Sequence, residues 1–208
     1  VGTVFSSLAI NKYISVCITK RFSNDTFIRY SKNEVVNDIK EIEHEIIRTV
    51  LVKHGLSDSV EIASFGDVPG GTGLGSSGAF TVALCSAVKS FLDQPFDKYS
   101  IAELATQIEM VDLNQPIGLQ DQYASSFGGF SEFSVSSLGA VKVKTHQLSS
   151  NAREIIRDNL LLFYVGSIRD AKELLKYDQL KMHEGRDTNS TNQFDNIVDM
   201  GIAMTNAL

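Results

Sequence analysis

The stretch Pro69-Gly70-Gly71-Thr72-Gly73-Leu74-Gly75-Ser76-Ser77-Gly78-Ala79 gathers backbone freedom, amide hydrogens and hydroxyls in one short span. Four of the six residues from 70 to 75 are glycine, so the backbone can approach a ligand closely and adopt dihedrals that side chains resist. The span lies between an expected strand, 60–65, and an expected helix from about 79 to 92. The unpaired N–H groups of a helix start attract anions, and two serine hydroxyls stand beside them. A phosphate is the natural guest. Two commoner phosphate loops fail letter by letter. From Gly70 a Walker A loop would need Lys where Ser76 stands, and from Gly71 a dinucleotide fingerprint would need Gly there. A turn that merely needs glycine is the plain alternative.

A second set of letters follows: Glu109, then Pro116-Ile117-Gly118-Leu119-Gln120-Asp121-Gln122-Tyr123. A turn bearing Pro and Gly can project Asp121 into a cleft, where a carboxylate beside a phosphate site acts as general base for a hydroxyl nucleophile. Glu109 can offer oxygen to Mg2+. Taken singly, Asp121 reads as a helix N-terminal charge and Glu109 as a surface residue; beside a phosphate loop those readings weaken. His44, His54, His146 and His183 share no metal-ligand spacing and receive no role.

These side chains need a scaffold. Val4, Leu8, Ile14, Val16 and Ile18 predict two strands joined near Asn11-Lys12, and 27–30 a further short one. Ser31 to Glu34 reads as a capping box for a long helix with Val35, Ile39, Ile42, Ile46, Val50 and Leu51 on one face, ending at Gly55. Ser100 to Glu103 reads as a second box, opening a helix through Ile108 that Pro116 breaks. A short helix is expected over 120–126, a hairpin from 130–135 and 140–143, and a buried strand over 160–165. Beyond it, a charged helix is expected at 170–182, a loop at 184–192 and a helix at 194–208, with a domain boundary near 146–158.

The chain has 208 residues, 43% of them hydrophobic and 21% charged, with net charge −6. That composition fits a globular domain with a substantial core. The acidic balance argues against broad nucleic-acid binding. No apolar run approaches the length of a membrane span. Cys17 and Cys85, neither in a Cys-x-x-Cys, predict neither a disulfide framework nor a zinc site, and a reducing cytoplasm fits best. The start at Val1, already in a strand pattern, and the end at Ala-Leu within a helical pattern read as a piece of a longer protein.

Residues 69–79 resemble the second motif of the GHMP kinases, and Pro116 to Ala124 with Phe127-Gly128-Gly129 resembles their sugar-1-kinase branch. Ala9 to Ile14 and Leu160 to Gly166 with Arg169 are similar to the same branch. The resemblance implies an α/β (α+β, two-layer) architecture. A ribosomal protein S5 domain 2-like domain would cover 1–148, and a truncated ferredoxin-like domain 149–208. It implies that Pro69, Gly71, Thr72, Gly73, Leu74, Gly75, Ser76 and Ser77 wrap the phosphates of ATP. Ser77 and Glu109 would hold Mg2+, and Asp121 would be the catalytic base. Gln122, Tyr123 and Arg169 would face the substrate. The implied reaction is phosphorylation of an anomeric hydroxyl, first of a seven-carbon sugar 7-phosphate. Galactose- or fucose-type acceptors and a non-catalytic sensor are the alternatives. Nothing in it implies a nucleic-acid or membrane partner, and a homodimer is left open. Leu119 stands where close relatives carry Lys, and the family's first and third motifs would lie before Val1 and after Leu208.

Overall fold

The computed structural model describes residues 3–56, 59–163, 196 and 199–203. Two compact units divide them: residues 11–126, and residues 3–10 together with those from 127 onward. Arg169, the expected helix at 170–182 and the loop at 184–192 lie outside the described residues.

In the 11–126 unit, a four-stranded sheet is built from β2 (Ile14–Lys20), β5 (Val60–Gly66), β3 (Thr26–Arg29) and β4 (Asn33–Val36), in that order. β5 runs antiparallel to β2 and parallel to β3, and β3 pairs antiparallel with β4. Alternation drives burial: Val60, Ile62 and Ile28 turn inward, while Glu61 and Phe27 turn away. The inward face meets α1 (Glu45–Lys53), α2 (Ser76–Phe91) and α3 (Lys98–Thr106) in one apolar cluster that includes Ile47, Leu51, Leu84 and Ile108. α4 (Gln120–Phe127) follows.

The long helix expected from Ser31 onward does not form. Residues 33–36 are β4, a 3-10 turn spans Ile39–Glu41, and α1 begins only at Glu45. Glu34 does cap a helix, but ten residues further on. Its carboxylate accepts from the N–H groups of Glu43 (2.6 Å) and His44 (3.3 Å) and from the Tyr30 hydroxyl (2.8 Å). His44, at the cap position, supplies no side-chain bond of its own. Of the expected stripe, Ile39, Ile42, Ile46, Val50 and Leu51 are buried, across a turn and a helix instead of one rod, whereas Val35 lies on β4 and is exposed.

The second capping box is shifted by one turn. Asp97 is the cap of α3, accepting from Ser100 N at 2.8 Å, and Ser100 Oγ accepts from Asp97 N at 2.9 Å. α2 begins at Ser76, three residues before the expected start.

The other unit holds a three-stranded antiparallel sheet, β1 (Thr3–Leu8), β6 (Phe130–Val135) and β7 (Val141–His146), with β6 central. Phe5 stacks on the buried Phe133 with ring centroids 4.7 Å apart. The expected hairpin is present and its second strand is longer. Ser149 caps α5 (Ser150–Asn159), a helix the polar composition did not announce. The run from Leu160 is not a buried strand over its described part: 160–163 carry no strand, and Leu161 is 76% exposed. Residues 164–165 lie outside the described residues, and 199–203 are helical.

Candidate active site

The site residues described belong to the 11–126 unit. β5 ends at Gly66, the chain loops through 67–75, and Gly75 caps α2 with φ +70°. A side chain there would be strained by that dihedral and would press on Asp121, since an added Cβ comes within 3.0 Å of its Cγ and 3.1 Å of its Oδ1. No side chain caps α2, so the N–H groups of its first turn are left for an anion.

Asp121 sits in the first turn of α4 and packs against this loop on one side while the other stays open to solvent. Its carboxyl is raised above the ordinary carboxylate value, first by desolvation on the packed side and then by the charge of Glu109. That moves it toward the range useful to a general base. Asp121 therefore stands beside the glycine loop.

Glu109 is not a surface residue: it is fully buried. α3 passes into a π-helical segment, Gln107–Asp112, with Leu113 N–H donating to Ile108 O five residues back. Such segments often occur at functional sites. Here Ile108 and Glu109, adjacent in sequence, are both buried. Ile108 joins the apolar cluster, while Glu109 reaches α2, where Ser77 Oγ donates to its Oε2 at 2.7 Å. Gln122 Nε2 donates to its Oε1 at 2.9 Å.

This donor set fits a small hard cation. Cis oxygens in an octahedral Mg2+ shell lie about 3 Å apart, given metal–oxygen distances of about 2.1 Å. Oγ of Ser77 and Oε2 of Glu109 are 2.7 Å apart. Among the described residues no group of three or more His, Cys, Asp or Glu gathers as a complete cage. Mg2+ commonly takes one or two protein ligands and completes its shell with phosphate and water.

A cleft of about 500 Å³ is lined by Gly70, Gly71, Ser76 and Ser77 and also by Tyr30, His44 and Phe80. The His44 ring lies 5.1 Å from Phe80 and edge-on to Tyr30 at 4.8 Å. The backbone of the glycine loop and an aromatic wall thus share one cavity. Sequence reasoning passed over this wall: Tyr30 and His44 stand 39 and 25 residues before Pro69, and no motif ties them to the loop. Gln122 and Tyr123, expected to face the substrate, are 1% and 2% exposed, and the Gln122 amide is committed to Glu109. Pro69 and Thr72 lie in the loop, with Thr72 Oγ1 donating to Pro69 O at 3.1 Å.

A lysine-free glycine loop thus feeds a helix, and an acidic side chain packs against it. Residues 27–129 match the model of the GHMP kinases N terminal domain, and the chain carries a domain of that family. The D-glycero-alpha-D-manno-heptose 7-phosphate kinase of Campylobacter jejuni is 32% identical over 143 residues, 69% of this chain and 41% of that protein. A galactokinase of Thermotoga petrophila is 30% identical over 132 residues, 58% of this chain and 36% of that protein. The crystal structure of a D-glycero-D-manno-heptose 1-phosphate kinase from Bacteriodes thetaiotaomicron superposes with TM-score 0.67 at 27% identity, over 75% of this chain and 54% of that one. The chain thus spans about two-fifths of the length of the curated relatives it matches. Those relatives are kinases. Among the described residues no helix is long and apolar enough to cross a membrane.

Proposed function

We propose that the protein to which this chain belongs is an ATP-dependent sugar kinase. Its acceptor is the anomeric hydroxyl of a sugar phosphate, foremost a manno-heptose 7-phosphate that becomes the 1,7-bisphosphate. The observation that carries this reading is the packing of Asp121 against Gly75 and Gly78, the residues that open α2. Residues 1–148 form the nucleotide-binding domain and those from 149 begin a second one. The compartment is the cytoplasm.

The triphosphate lies along 69–77, held by loop and helix N–H groups. Asp121 accepts the proton of the anomeric hydroxyl. The freed oxygen bonds to the γ-phosphorus while the bond to the β–γ bridging oxygen breaks and ADP departs. Ser77 and Glu109 would hold Mg2+, which supplies neutralisation of phosphate charge. Positioning and charge compensation carry most of such a transfer, and the site is built for both. The galactokinase relative supports a second acceptor class, an unphosphorylated hexose.

Asp121→Asn in the intact protein tests the base. Sugar-dependent ATP turnover is expected to fall by 10³-fold or more with nucleotide affinity nearly unchanged, a loss at the upper part of the usual general-base range of about 10² to 10⁴. Undiminished turnover removes Asp121 from the chemistry. A panel of heptose 7-phosphate, galactose and fucose separates the acceptors by kcat/KM.

A further inference from the structure

We infer that Gln122 is a positioning residue, whose carboxamide grips Glu109 from behind and presents the opposite carboxylate oxygen to Ser77 and to a divalent cation taken there. The inference rests on the reading of Ser77 and Glu109 as a metal pair and extends it.

Glu109 has two oxygens and two partners: Ser77 Oγ on Oε2 and Gln122 Nε2 on Oε1. The amide orientation follows from chemistry, because the reverse would set oxygen acceptor against oxygen acceptor. The terminal torsion of a glutamate is broad, so one bond leaves the carboxylate plane free to swing. When a cation occupies Oε2, the serine hydrogen must turn away. The Gln122 bond alone then holds the plane.

A cost is visible on the other side of the same amide. Gln122 is 1% exposed, and its Oε1 is buried with no hydrogen-bond partner among the described residues. A buried acceptor left unpaired is unfavourable by about 1–3 kcal/mol. An apolar residue of similar length would avoid that cost, so what the carboxamide contributes is its N–H toward Glu109. The neighbouring geometry links this contact to the base. Successive residues of a helix point about 100° apart. α4 accordingly sends Asp121 to the loop and Gln122 to the interior, and the backbone N of Gln122 lies 3.1 Å from where a Cβ on Gly78 would stand.

The test compares the intact protein with Gln122→Met, Gln122→Glu and Glu109→Gln. Mn2+ is titrated into each with saturating ADP, and the free ion is followed by its EPR signal. Loss of an outer-shell partner to a metal ligand typically costs 10–100-fold in metal affinity. Gln122→Met is expected to weaken Mn2+ at least tenfold. Gln122→Glu, which keeps the reach but sets carboxylate on carboxylate, is expected to weaken it further. At saturating Mg2+ the sugar KM should move less than twofold. In a Glu109→Gln background, Gln122→Met should cost nothing more. Unfolding midpoints show that each variant is folded. Wild-type Mn2+ affinity in Gln122→Met, with Glu109→Gln impaired, overturns the inference. So does a raised sugar KM with unchanged metal affinity, which would make Gln122 a sugar contact. Unchanged affinity in Glu109→Gln overturns the metal pair itself, and this inference with it.

Discussion

Gly78 opens onto Asp121 and Gln122, and the space between is already full. A Cβ there would lie 2.7 Å from Asp121 Cβ, 3.1 Å from Asp121 C and 3.1 Å from Gln122 N. Two of those atoms are backbone, so no rotamer change relieves the clash. Gly78→Ala must push α4 away from α2. Overpacking of this kind costs about 1–3 kcal/mol, which a urea titration reads directly. Because the displaced helix carries Asp121, turnover should fall at least tenfold, far beyond the effect of the lost stability on a protein still folded. Gly73→Ala gives the contrast. A Cβ at Gly73 meets nothing within 4 Å, but φ is +76°. That variant carries backbone strain alone, about 1–2 kcal/mol, and is expected to weaken ATP binding while leaving Asp121 in place. A Gly78→Ala protein with full activity would mean that the distance between α2 and α4 does not matter to the chemistry.

At the scale of elements, legibility depended on whether a pattern was local. The β5–loop–α2 unit was readable because alternation, glycine density and an apolar helix each occur in consecutive letters, as at Val60-Glu61-Ile62 and Gly73-Leu74-Gly75. The placement of Asp121 at the start of a short helix was readable for the same reason. The Ser31–Glu34 pattern misled because it is local and its true partners are not. Glu34 satisfies donors at 43 and 44, a pairing set by the β3–β4 hairpin folding over the start of α1. The burial of Glu109 was unreadable in the same way, since it depends on the π segment and on partners 32 and 13 residues distant. Glu34 yields a prediction at this scale. Glu34→Ala removes the acceptor for both N–H groups and for Tyr30 Oη, leaving α1 uncapped. Caps are typically worth about 0.5–2 kcal/mol, so the loss should lie near the upper end of that range in thermal or urea unfolding. Tyr30→Phe removes only one donor and should cost less. If Glu34→Ala were neutral, the cap would not hold α1.

For the whole molecule, acid stability integrates these environments. Burial lowers the His44 pKa below its ordinary 6.5, against the opposing pull of Glu34. The unfolded chain therefore takes up this proton first, and stability falls as pH drops below about 6.5. Burial alone would raise Glu34, but the Glu43 N–H, the Tyr30 hydroxyl and the His44 N–H together bring it below 4.5. Its contribution is present above 4.5 and disappears as pH falls through the lowered native value. Two stages of acid loss are expected, and His44→Gln should flatten only the upper one. Asp121 has the opposite sign. Its native pKa lies above 3.8, so at pH 7 its charge destabilises the fold, and the penalty shrinks as the native state takes up the proton on acidification. Asp121→Asn should accordingly unfold at a higher temperature than the parent at pH 7, with the gap narrowing as the pH falls toward the raised native value. The same substitution is expected to abolish turnover, so one residue would show stability given up for function. An unfolding midpoint for Asp121→Asn at or below the parent's at pH 7 would mean that the carboxylate is not held against its own preference, and the electrostatic argument for its role as a base would fall with it.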